Sequence, residues 1–171
     1  MNAAADAVPA SNWLPAYVGI GSNLDDPRAQ VLRAIAALAQ LRGTQLVSSS
    51  PLYQTPPLGD VAQPPFVNAA AGLLTQLSPE ALLAELRALE TRLGRQPPRE
   101  RWGPRVIDLD LLVVGRETRA TPELTLPHPG IAQRDFVLYP LADLAPDLEI
   151  PGFGRVAVLK ARVENRGVSR L

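Results

Sequence analysis

Two aspartates stand two residues apart in an otherwise apolar segment, at Asp108 and Asp110. The segment from Val106 to Val114 is short, apolar and rich in β-branched residues, which predicts a buried strand ended by Gly115. Because successive side chains alternate between the faces of a strand, both carboxylates are expected on one face, roughly 7 Å apart. Like charges on an apolar strand are costly to remove from water, so the pair requires a cation.

Two kinds of cation fit this requirement. Arg101 and Arg105 arrive just before the aspartates, and they would make a structural arginine–aspartate pair on the sheet surface. A hard metal such as Mg²⁺ also favours carboxylate oxygen, and it would make a metal–phosphate site. The spacing of the aspartates alone is compatible with both.

The positive charge of the chain is almost entirely arginine, because Lys160 is the only lysine. Arginine suits planar, two-pronged contact with phosphate. Five arginines lie in the 14 positions before the aspartate strand: Arg92, Arg95, Arg99, Arg101 and Arg105. A solvated, charged loop would have the same composition, but the position directly before the paired aspartates favours a site.

The composition limits the class of protein. The 171 residues, with 46% hydrophobic and 20% charged residues, predict one globular domain over 14–171 after a flexible tail at 1–13. The 17 basic and 17 acidic residues balance, so no overall charge recruits nucleic acid or a membrane surface. There is no cysteine, which excludes disulfides and thiolate chemistry, and the single histidine excludes a multi-histidine metal site. We expect a cytoplasmic monomer.

The order of the predicted elements indicates the fold class. Hydrophobic periodicity and turn residues predict strands at 16–21, 45–53, 66–74 and 106–114, and helices at 27–41, 78–93 and 131–143. Two long loops, 54–65 and 95–105, separate them. This β-α-β-β-α-β order is typical of an α+β, ferredoxin-like split β-α-β fold, with helices on one face of the sheet. Added strands and a C-terminal helical appendage complete the prediction.

Several polar positions remain ambiguous from the residues alone. Glu90 lies within the apolar stripe of the second helix, where a carboxylate is either paired at the edge of the core or part of a site. His128 sits between two prolines and is either a capping histidine or a phosphate contact. The run from Gly19 to Leu24 lacks the third glycine of a dinucleotide fingerprint. No P-loop motif is present, so ATP chemistry here would be of another kind.

At this point the residues resemble those of a known family. The run Arg101-Trp102-Gly103-Pro104-Arg105, followed by Asp108-Leu109-Asp110-Leu111-Leu112, is similar to the signature of the 6-hydroxymethyl-7,8-dihydropterin pyrophosphokinases of the folate pathway. Further motifs match in order over about 16–147: Gly19-x-Gly21-Ser22-Asn23-Leu24, Tyr53-x-Thr55-Pro56-Pro57-Leu58-Gly59, Phe66-x-Asn68, Glu90, Gly94-Arg95, Leu126-Pro127-His128 and Arg134-x-Phe136-Val137-Leu138.

This resemblance implies an ATP-dependent diphosphokinase that transfers pyrophosphate from ATP to the hydroxymethyl group of the dihydropterin and releases AMP. By the same resemblance, Asp108 and Asp110 hold two Mg²⁺ ions, while Arg95 and Arg105 stabilise charge during transfer. The residues implied around ATP are Glu90, Arg101, Trp102, Thr125, His128 and Arg134. Those implied for the pterin pocket are Thr55, Pro56, Leu58, Phe66, Asn68 and Phe136.

Two rival functions have different signatures. RNA-binding modules of the same topology stack bases on sheet aromatics, but the chain has few aromatic residues, balanced charge and no RNP-like run. A catalytically dead pterin-binding module is disfavoured by the presence of Arg95, Arg105, Asp108 and Asp110.

Overall fold

The computed structural model describes residues 12–97 and 102–171. The predicted tail at 1–13 therefore lies outside the described residues except for its last two positions, and Arg99 and Arg101 lie outside them as well. The longer strands are β1 (Leu14–Ser22), β2 (Thr44–Ser49), β3 (Tyr53–Thr55), β4 (Phe66–Thr75) and β5 (Asp108–Val114). The helices are α1 (Pro27–Leu38), α2 (Pro79–Arg92), α3 (Asp135–Leu144) and α4 (Val156–Arg162).

Five two-residue strands complete the described elements: β6 (Arg119–Ala120), β7 (Thr125–Leu126), β8 (Glu149–Ile150), β9 (Gly154–Arg155) and β10 (Ser169–Arg170). The main sheet has the order β10-β3-β4-β1-β5, and β2 also pairs with β4. Every pairing in it is antiparallel; β4 is the central strand, and β1 lies between β4 and the edge strand β5. The small strands form two separate ladders, β6 with β7 and β8 with β9.

Local sequence signals explain where the first two long helices begin. The Asp26 side chain accepts a hydrogen bond from the Ala29 amide at 3.3 Å, and the Ser78 hydroxyl accepts one from the Ala81 amide at 3.1 Å. A proline follows each cap, where its missing N–H costs nothing. Both helix starts agree with the sequence prediction, and α1 ends three residues before the predicted position 41.

The sheet has an apolar core on each face. One core joins alternate residues of β1, including Val18 and Ile20, to α1 and α2. The other core joins Leu112 and Val113 of β5 to α3 and α4. The predicted one-sided helix packing therefore holds only for α1 and α2, because the C-terminal helices cover the opposite face. Within the two described ranges, no helix has the length and apolarity needed to cross a membrane.

The predicted strand 45–53 is two strands in the structure. Pro51 has no N–H to donate, which interrupts the ladder after β2. Ser50 remains attached to β4, because its amide donates to the Ala70 carbonyl at 2.8 Å and its hydroxyl accepts from the Ala70 amide at 2.9 Å. The chain then resumes pairing with β4 as β3, whose residues Gln54 and Thr55 were predicted to belong to the loop at 54–65.

Two other boundaries differ from the prediction. The strand predicted from 106 begins at Asp108, where pairing with Gly21 of β1 starts. The helix predicted from 131 begins at Asp135, because residues 131–134 form turns in which the Ile131 amide bonds to the His128 carbonyl at 3.1 Å. This later start places Phe136 in the first turn of α3.

Candidate active site

Two glycines of β1 create a depression on the sheet face that carries the aspartates. Gly19 pairs with Asp110 and Gly21 pairs with Asp108 in the antiparallel register. A Cβ added to Gly21 would lie 2.8 Å from Oδ1 of Asn68, which is closer than two such atoms can approach. The Gly-x-Gly motif therefore leaves room for neighbouring polar side chains on this face, and it lies within a strand rather than in a phosphate-binding turn.

A cleft of about 640 Å³ opens over this depression, and we call it the aromatic slot. All six residues predicted for a pterin pocket line it: Thr55, Pro56, Leu58, Phe66, Asn68 and Phe136. Trp102, Arg105, Asp108, Asp110 and Arg134 also line it. Apolar walls with a few convergent polar groups are typical of small-molecule sites.

The polar group at the base of the aromatic slot is held in place. Asn68 is 6% exposed, and its amide donates to the Thr55 hydroxyl at 2.6 Å. The two phenyl rings are each approached by a guanidinium, with Arg105 5.4 Å from the Phe66 centroid and Arg134 5.8 Å from the Phe136 centroid. The slot thus combines stacking surfaces, an amide edge and positive charge.

A second cavity of about 1050 Å³ lies on the other side of the aspartates, and we call it the polar groove. Its charged and polar lining residues are Arg87, Glu90, Arg95, Asp108, Asp110, Glu123, Thr125 and His128, and Leu109, Leu111 and Leu124 are among its apolar ones. Asp108 and Asp110 line both cavities. The two carboxylates therefore form the boundary between the aromatic slot and the polar groove.

Arginines contact the aspartates unequally. Nη1 of Arg95 lies 2.8 Å from Oδ1 of Asp108, and Nε of Arg105 lies 3.4 Å from Oδ2. Among the residues that the structure describes, the ion-pair partner of Asp110 is the more distant Nη1 of Arg134, at 4.0 Å from Oδ2. Desolvation in the cleft, and then repulsion from Asp108, raise the pKa of Asp110 to about 7.

Glu90 combines the two roles that its position in the sequence left open. Its Oε1 accepts hydrogen bonds from the Leu109 amide and from Nη1 of Arg95, both at 2.7 Å. Those bonds attach α2 to β5 and hold Arg95 beside Asp108. The side chain also lines the polar groove, and burial raises its pKa.

His128 faces the polar groove as a neutral ring. Its Nδ1 accepts a hydrogen bond from the Gly130 amide at 3.1 Å, which requires that nitrogen to be unprotonated. Desolvation and the nearby charge of Arg134 lower the pKa of His128 to about 4. The ring can therefore offer a hydrogen bond to a ligand in the groove, but it supplies no positive charge near neutral pH.

The charges that line the two cavities balance among the described residues. Among the described lining residues, four arginines (Arg87, Arg95, Arg105, Arg134) stand beside four carboxylates (Glu90, Asp108, Asp110, Glu123), so this part of the protein brings no excess positive charge for a triphosphate. Among the described residues, no cluster of three or more acidic or histidine side chains could enclose a metal. Two carboxylates on one face fit Mg²⁺, which usually takes one or two protein ligands together with substrate phosphates and water.

Both loops beside the site are attached to Asn23, which is 1% exposed. Its backbone amide donates a hydrogen bond to the Arg105 carbonyl at 3.1 Å, and its side-chain Oδ1 accepts one from the Arg105 backbone amide at 2.9 Å. Its Nδ2 donates to Oε1 of Gln63 at 2.9 Å and to the Pro64 carbonyl at 3.0 Å. Gln63 in turn donates to the Trp102 carbonyl at 2.8 Å.

The structure brings most of the predicted site residues together. Glu90, Arg95, Thr125 and His128 line the polar groove, while Trp102 and Arg134, predicted around ATP, line the aromatic slot. Arg101 lies outside the described residues. The sequence reasoning assigned no role to Asn23 or Asp135, although Asn23 stands in the quoted motif; a polar residue next to a glycine pair at a strand end was the available signal.

A sequence profile decides the family of this chain. The profile described as 7,8-dihydro-6-hydroxymethylpterin-pyrophosphokinase (HPPK) matches residues 17–146. The chain belongs to the HPPK family. That match spans every predicted site residue from Thr55 to Phe136.

Two bacterial relatives are similar to this chain over most of their length. The chain is 47% identical over 155 residues to 2-amino-4-hydroxy-6-hydroxymethyldihydropteridine pyrophosphokinase of Pseudomonas aeruginosa, covering 91% of this chain and 95% of that protein. It is 44% identical over 138 residues to the enzyme of the same name from Haemophilus influenzae, covering 81% and 86%.

Solved structures support the HPPK fold. The Plasmodium falciparum HPPK-DHPS wild type with pteroate superposes with a TM-score of 0.71 at 14% identity, over 88% of this chain. The chain spans 42% of that longer chain, so the likeness concerns the fold alone.

Proposed function

We propose that the aromatic slot binds the pterin and the polar groove binds ATP, with Asp108 and Asp110 between them. The chain is an ATP-dependent diphosphokinase of folate biosynthesis, which transfers pyrophosphate from ATP to 6-hydroxymethyl-7,8-dihydropterin and releases AMP. The observation that carries the assignment of the two cavities is the position of the two aspartates, which line both of them.

The aromatic slot suits a flat, polar-edged heterocycle. Phe66 and Phe136 offer two ring faces, and Asn68 offers both a donor and an acceptor to a ring edge. The bond from Asn68 to Thr55 orients that amide before a ligand arrives. A cleft of this size also favours a small heterocycle over an RNA strand, which would need an open sheet face.

The transfer needs orientation and charge stabilisation rather than a protein nucleophile. The hydroxymethyl oxygen of the pterin forms a bond to the β-phosphorus of ATP, the bond from that phosphorus to the oxygen retained by AMP breaks, and the hydroxyl proton leaves to solvent. We assign Arg95 and Arg105 to the charge that develops on the phosphoryl oxygens, because both lie beside Asp108 at the boundary of the cavities.

Mg²⁺ completes the proposal, with two ions expected. Asp108 and Asp110 would hold it, and a bound divalent ion would neutralise phosphate charge and align the triphosphate. The weakly paired, raised-pKa carboxylate of Asp110 supports this assignment, because a divalent cation would supply the charge that Arg134 gives only from 4.0 Å.

We also propose a ferredoxin-like core, a single domain over 14–171, and a monomer. The antiparallel order β5-β1-β4-β2, joined as β-α-β-β-α-β, supports the first. Cytoplasmic localisation stays a prediction, in keeping with the absence of cysteine.

The nucleotide product tests the reaction directly. We expect phosphorus NMR of the protein with ATP, Mg²⁺ and the pterin alcohol to show AMP in step with a pyrophosphorylated pterin. Stoichiometric ADP would mean a single phosphoryl transfer and would contradict the proposal.

The aspartates test the site. Asp108→Asn keeps the size of the side chain but removes its charge, so transfer should fall by orders of magnitude while the circular dichroism spectrum is retained. The matched control is Asp147→Asn, an exposed aspartate in neither cavity, which should leave the rate unchanged. A folded, fully active Asp108→Asn variant would show that Asp108 is only a structural partner of the arginines.

A further inference from the structure

One side of the aromatic slot is attached to the C-terminal residues 165–171, which we call the C-terminal strap. Asp135, the first residue of α3, is 5% exposed. Its Oδ1 accepts a hydrogen bond from the Phe136 amide at 2.8 Å, and its Oδ2 accepts one from the Arg166 amide at 2.7 Å. A single buried carboxylate thus joins the backbone of the stacking residue Phe136 to the strap.

The strap next crosses behind Pro56, another residue of the aromatic slot. Gly167 has φ +111°, a conformation that other residues rarely adopt, and a Cβ there would lie 3.1 Å from Cγ and 3.3 Å from Cδ of Pro56. Oδ1 of Asn165 accepts hydrogen bonds from the Gly167 and Val168 amides, both at 2.8 Å. These bonds set the turn that lets the strap pass close to the proline.

The strap ends as a strand on the edge of the main sheet. Ser169 pairs with Gln54 and Arg170 pairs with Tyr53 in the antiparallel register of β10 and β3. The Leu171 amide also donates to the Leu52 carbonyl at 2.9 Å. The strap therefore connects β3, which precedes Pro56, to the start of α3, which carries Phe136.

We propose that Asp135 is a positioning residue for the reaction and that, through the C-terminal strap, it sets the gap of the aromatic slot. Stacking requires ring atoms at about 3.5–4.0 Å, so a shift of the α3 start relative to Pro56 would remove contacts with a flat ligand. The proposal rests on the assignment of this slot to the pterin. It extends that assignment to residues that touch no substrate.

The polar groove provides an internal reference. None of the strap residues and neither Asp135 nor Phe136 lines it. Loss of the strap contacts should therefore weaken binding of the pterin while binding of ATP is kept. A general loss of folding would instead affect both ligands together.

Three variants and one control form the experiment. Asp135→Ala removes both acceptors, Asp135→Asn keeps one, and Gly167→Ala disturbs the strap at Pro56. Arg166→Ala is the matched control, because it keeps the backbone N–H that bonds Asp135 and alters only a side chain that is 62% exposed.

We expect KM for the pterin to rise about tenfold in Asp135→Ala and Gly167→Ala, less in Asp135→Asn, and not in Arg166→Ala. The kcat should change less than the KM, and the dissociation constant of an ATP analogue, measured by calorimetry, should stay at the wild-type value. Because both changes act on one strap, the double variant Asp135→Ala/Gly167→Ala should show less than the product of the two single effects.

Two results would overturn the proposal. Unchanged pterin KM in folded Asp135→Asn and Gly167→Ala would show that the strap does not set the slot. Equal losses for ATP and pterin would assign Asp135 to general stability. If the wild-type protein forms AMP and the variants give either of these results, only the proposal about the strap is refuted. If the wild-type protein binds no pterin, the assignment of the slot is refuted as well.

Discussion

At the level of single residues, the site depends on the space beside Gly21 and on the charges around the two aspartates. The absence of a side chain at Gly21 is as important as the presence of Asn68, because the two compete for the same volume. The two aspartates differ although they are chemically identical. Asp108 has two arginine partners within 3.4 Å, while the pKa of Asp110 is raised to about 7.

Gly21→Ala tests the spatial limit. The new methyl group would lie 2.8 Å from Oδ1 of Asn68, so the amide must rotate away while the fold is kept. We expect pterin binding to weaken by about 1–3 kcal/mol, because an orienting hydrogen-bond group is displaced. Fluorescence titration of the pterin measures this.

Gly72→Ala is the control for that substitution. Its Cβ would meet a side-chain oxygen, Oγ of Ser48, at nearly the same distance of 2.9 Å, but Gly72 lines neither cavity. Its pterin affinity should match the wild type. Equal losses in the two variants would mean that general strain in the sheet, rather than Asn68, causes the effect.

Asp110→Asn tests how the charge of Asp110 affects the thermal stability of the metal-free protein. The folded pKa of Asp110, about 7, lies above its ordinary value of 3.8, so the folded state holds the proton more tightly. The contribution of Asp110 to stability is therefore fully present below pH 3.8 and is lost as the pH rises through 7. The neutral variant should therefore raise the melting temperature of metal-free protein at pH 8, and raise it less at pH 5.

Calorimetry at the two pH values, with chelator present, gives the result for Asp110. The same variant should lose most of its transfer activity, so stability and function change in opposite directions. A lower melting temperature at pH 8 would indicate that Asp110 forms a net stabilising pair with Arg134 in the metal-free protein.

At the level of elements, the site depends on loops that are attached to β1. Asn23 follows directly after β1 and bonds to both the backbone of Arg105 and the loop at 54–65. The strand therefore positions Asp108 by pairing and Arg105 by way of Asn23. One element thus sets the relative position of two groups assigned to the transfer.

Asn23→Ala should lower kcat about tenfold to a hundredfold, because Arg105 loses a backbone anchor. It should also reduce stability by about 1–3 kcal/mol, since the Arg105 amide loses a buried acceptor. Gln63→Ala removes only the bonds that the Gln63 side chain makes with Nδ2 of Asn23 and with the Trp102 carbonyl, and it leaves the bonds of Asn23 to Arg105 and Pro64, so it should reduce kcat less. Single-turnover rates and urea denaturation separate the two effects; an equal kcat for both variants would place the important contact at Gln63.

At the level of the whole molecule, two cavities meet at one strand. The α3 and β4 elements supply the ring faces of the aromatic slot, and α2 with the segment at 122–129 supplies much of the polar groove. The aspartates of β5 stand between them. Changes in one cavity should therefore leave the other ligand bound.

Phe136→Ala and Arg95→Ala test this separation. Phe136→Ala should weaken the binding of the pterin by about 1–3 kcal/mol, by analogy with base stacking, and leave the affinity for ATP unchanged. Arg95→Ala should lower kcat by raising the activation barrier by about 3 kcal/mol. This loss should exceed the loss of ground-state binding energy for either ligand. A weaker affinity for ATP in the Phe136→Ala variant would contradict the assignment of the two cavities. So would an Arg95→Ala variant in which ligand affinity falls but kcat does not.

Much of this protein could be predicted from its sequence because the relevant rules are local. Helix caps at Asp26 and Ser78 depend on the residues next to them, and strand alternation puts Asp108 and Asp110 on one face wherever the strand lies in the sheet. The motif order gave the family resemblance that the profile match confirms.

Other features were decided only by the tertiary structure, because they join residues that no local rule relates. Asn23 meets Arg105 across 82 positions, and Asp135 meets Arg166 across 31. The order of strands in the sheet and the face that α3 covers determine these contacts. Spacing along the chain could propose the groups for a metal–phosphate site, but only the packed sheet places the two aspartates between a slot for a flat ring and a groove for a triphosphate.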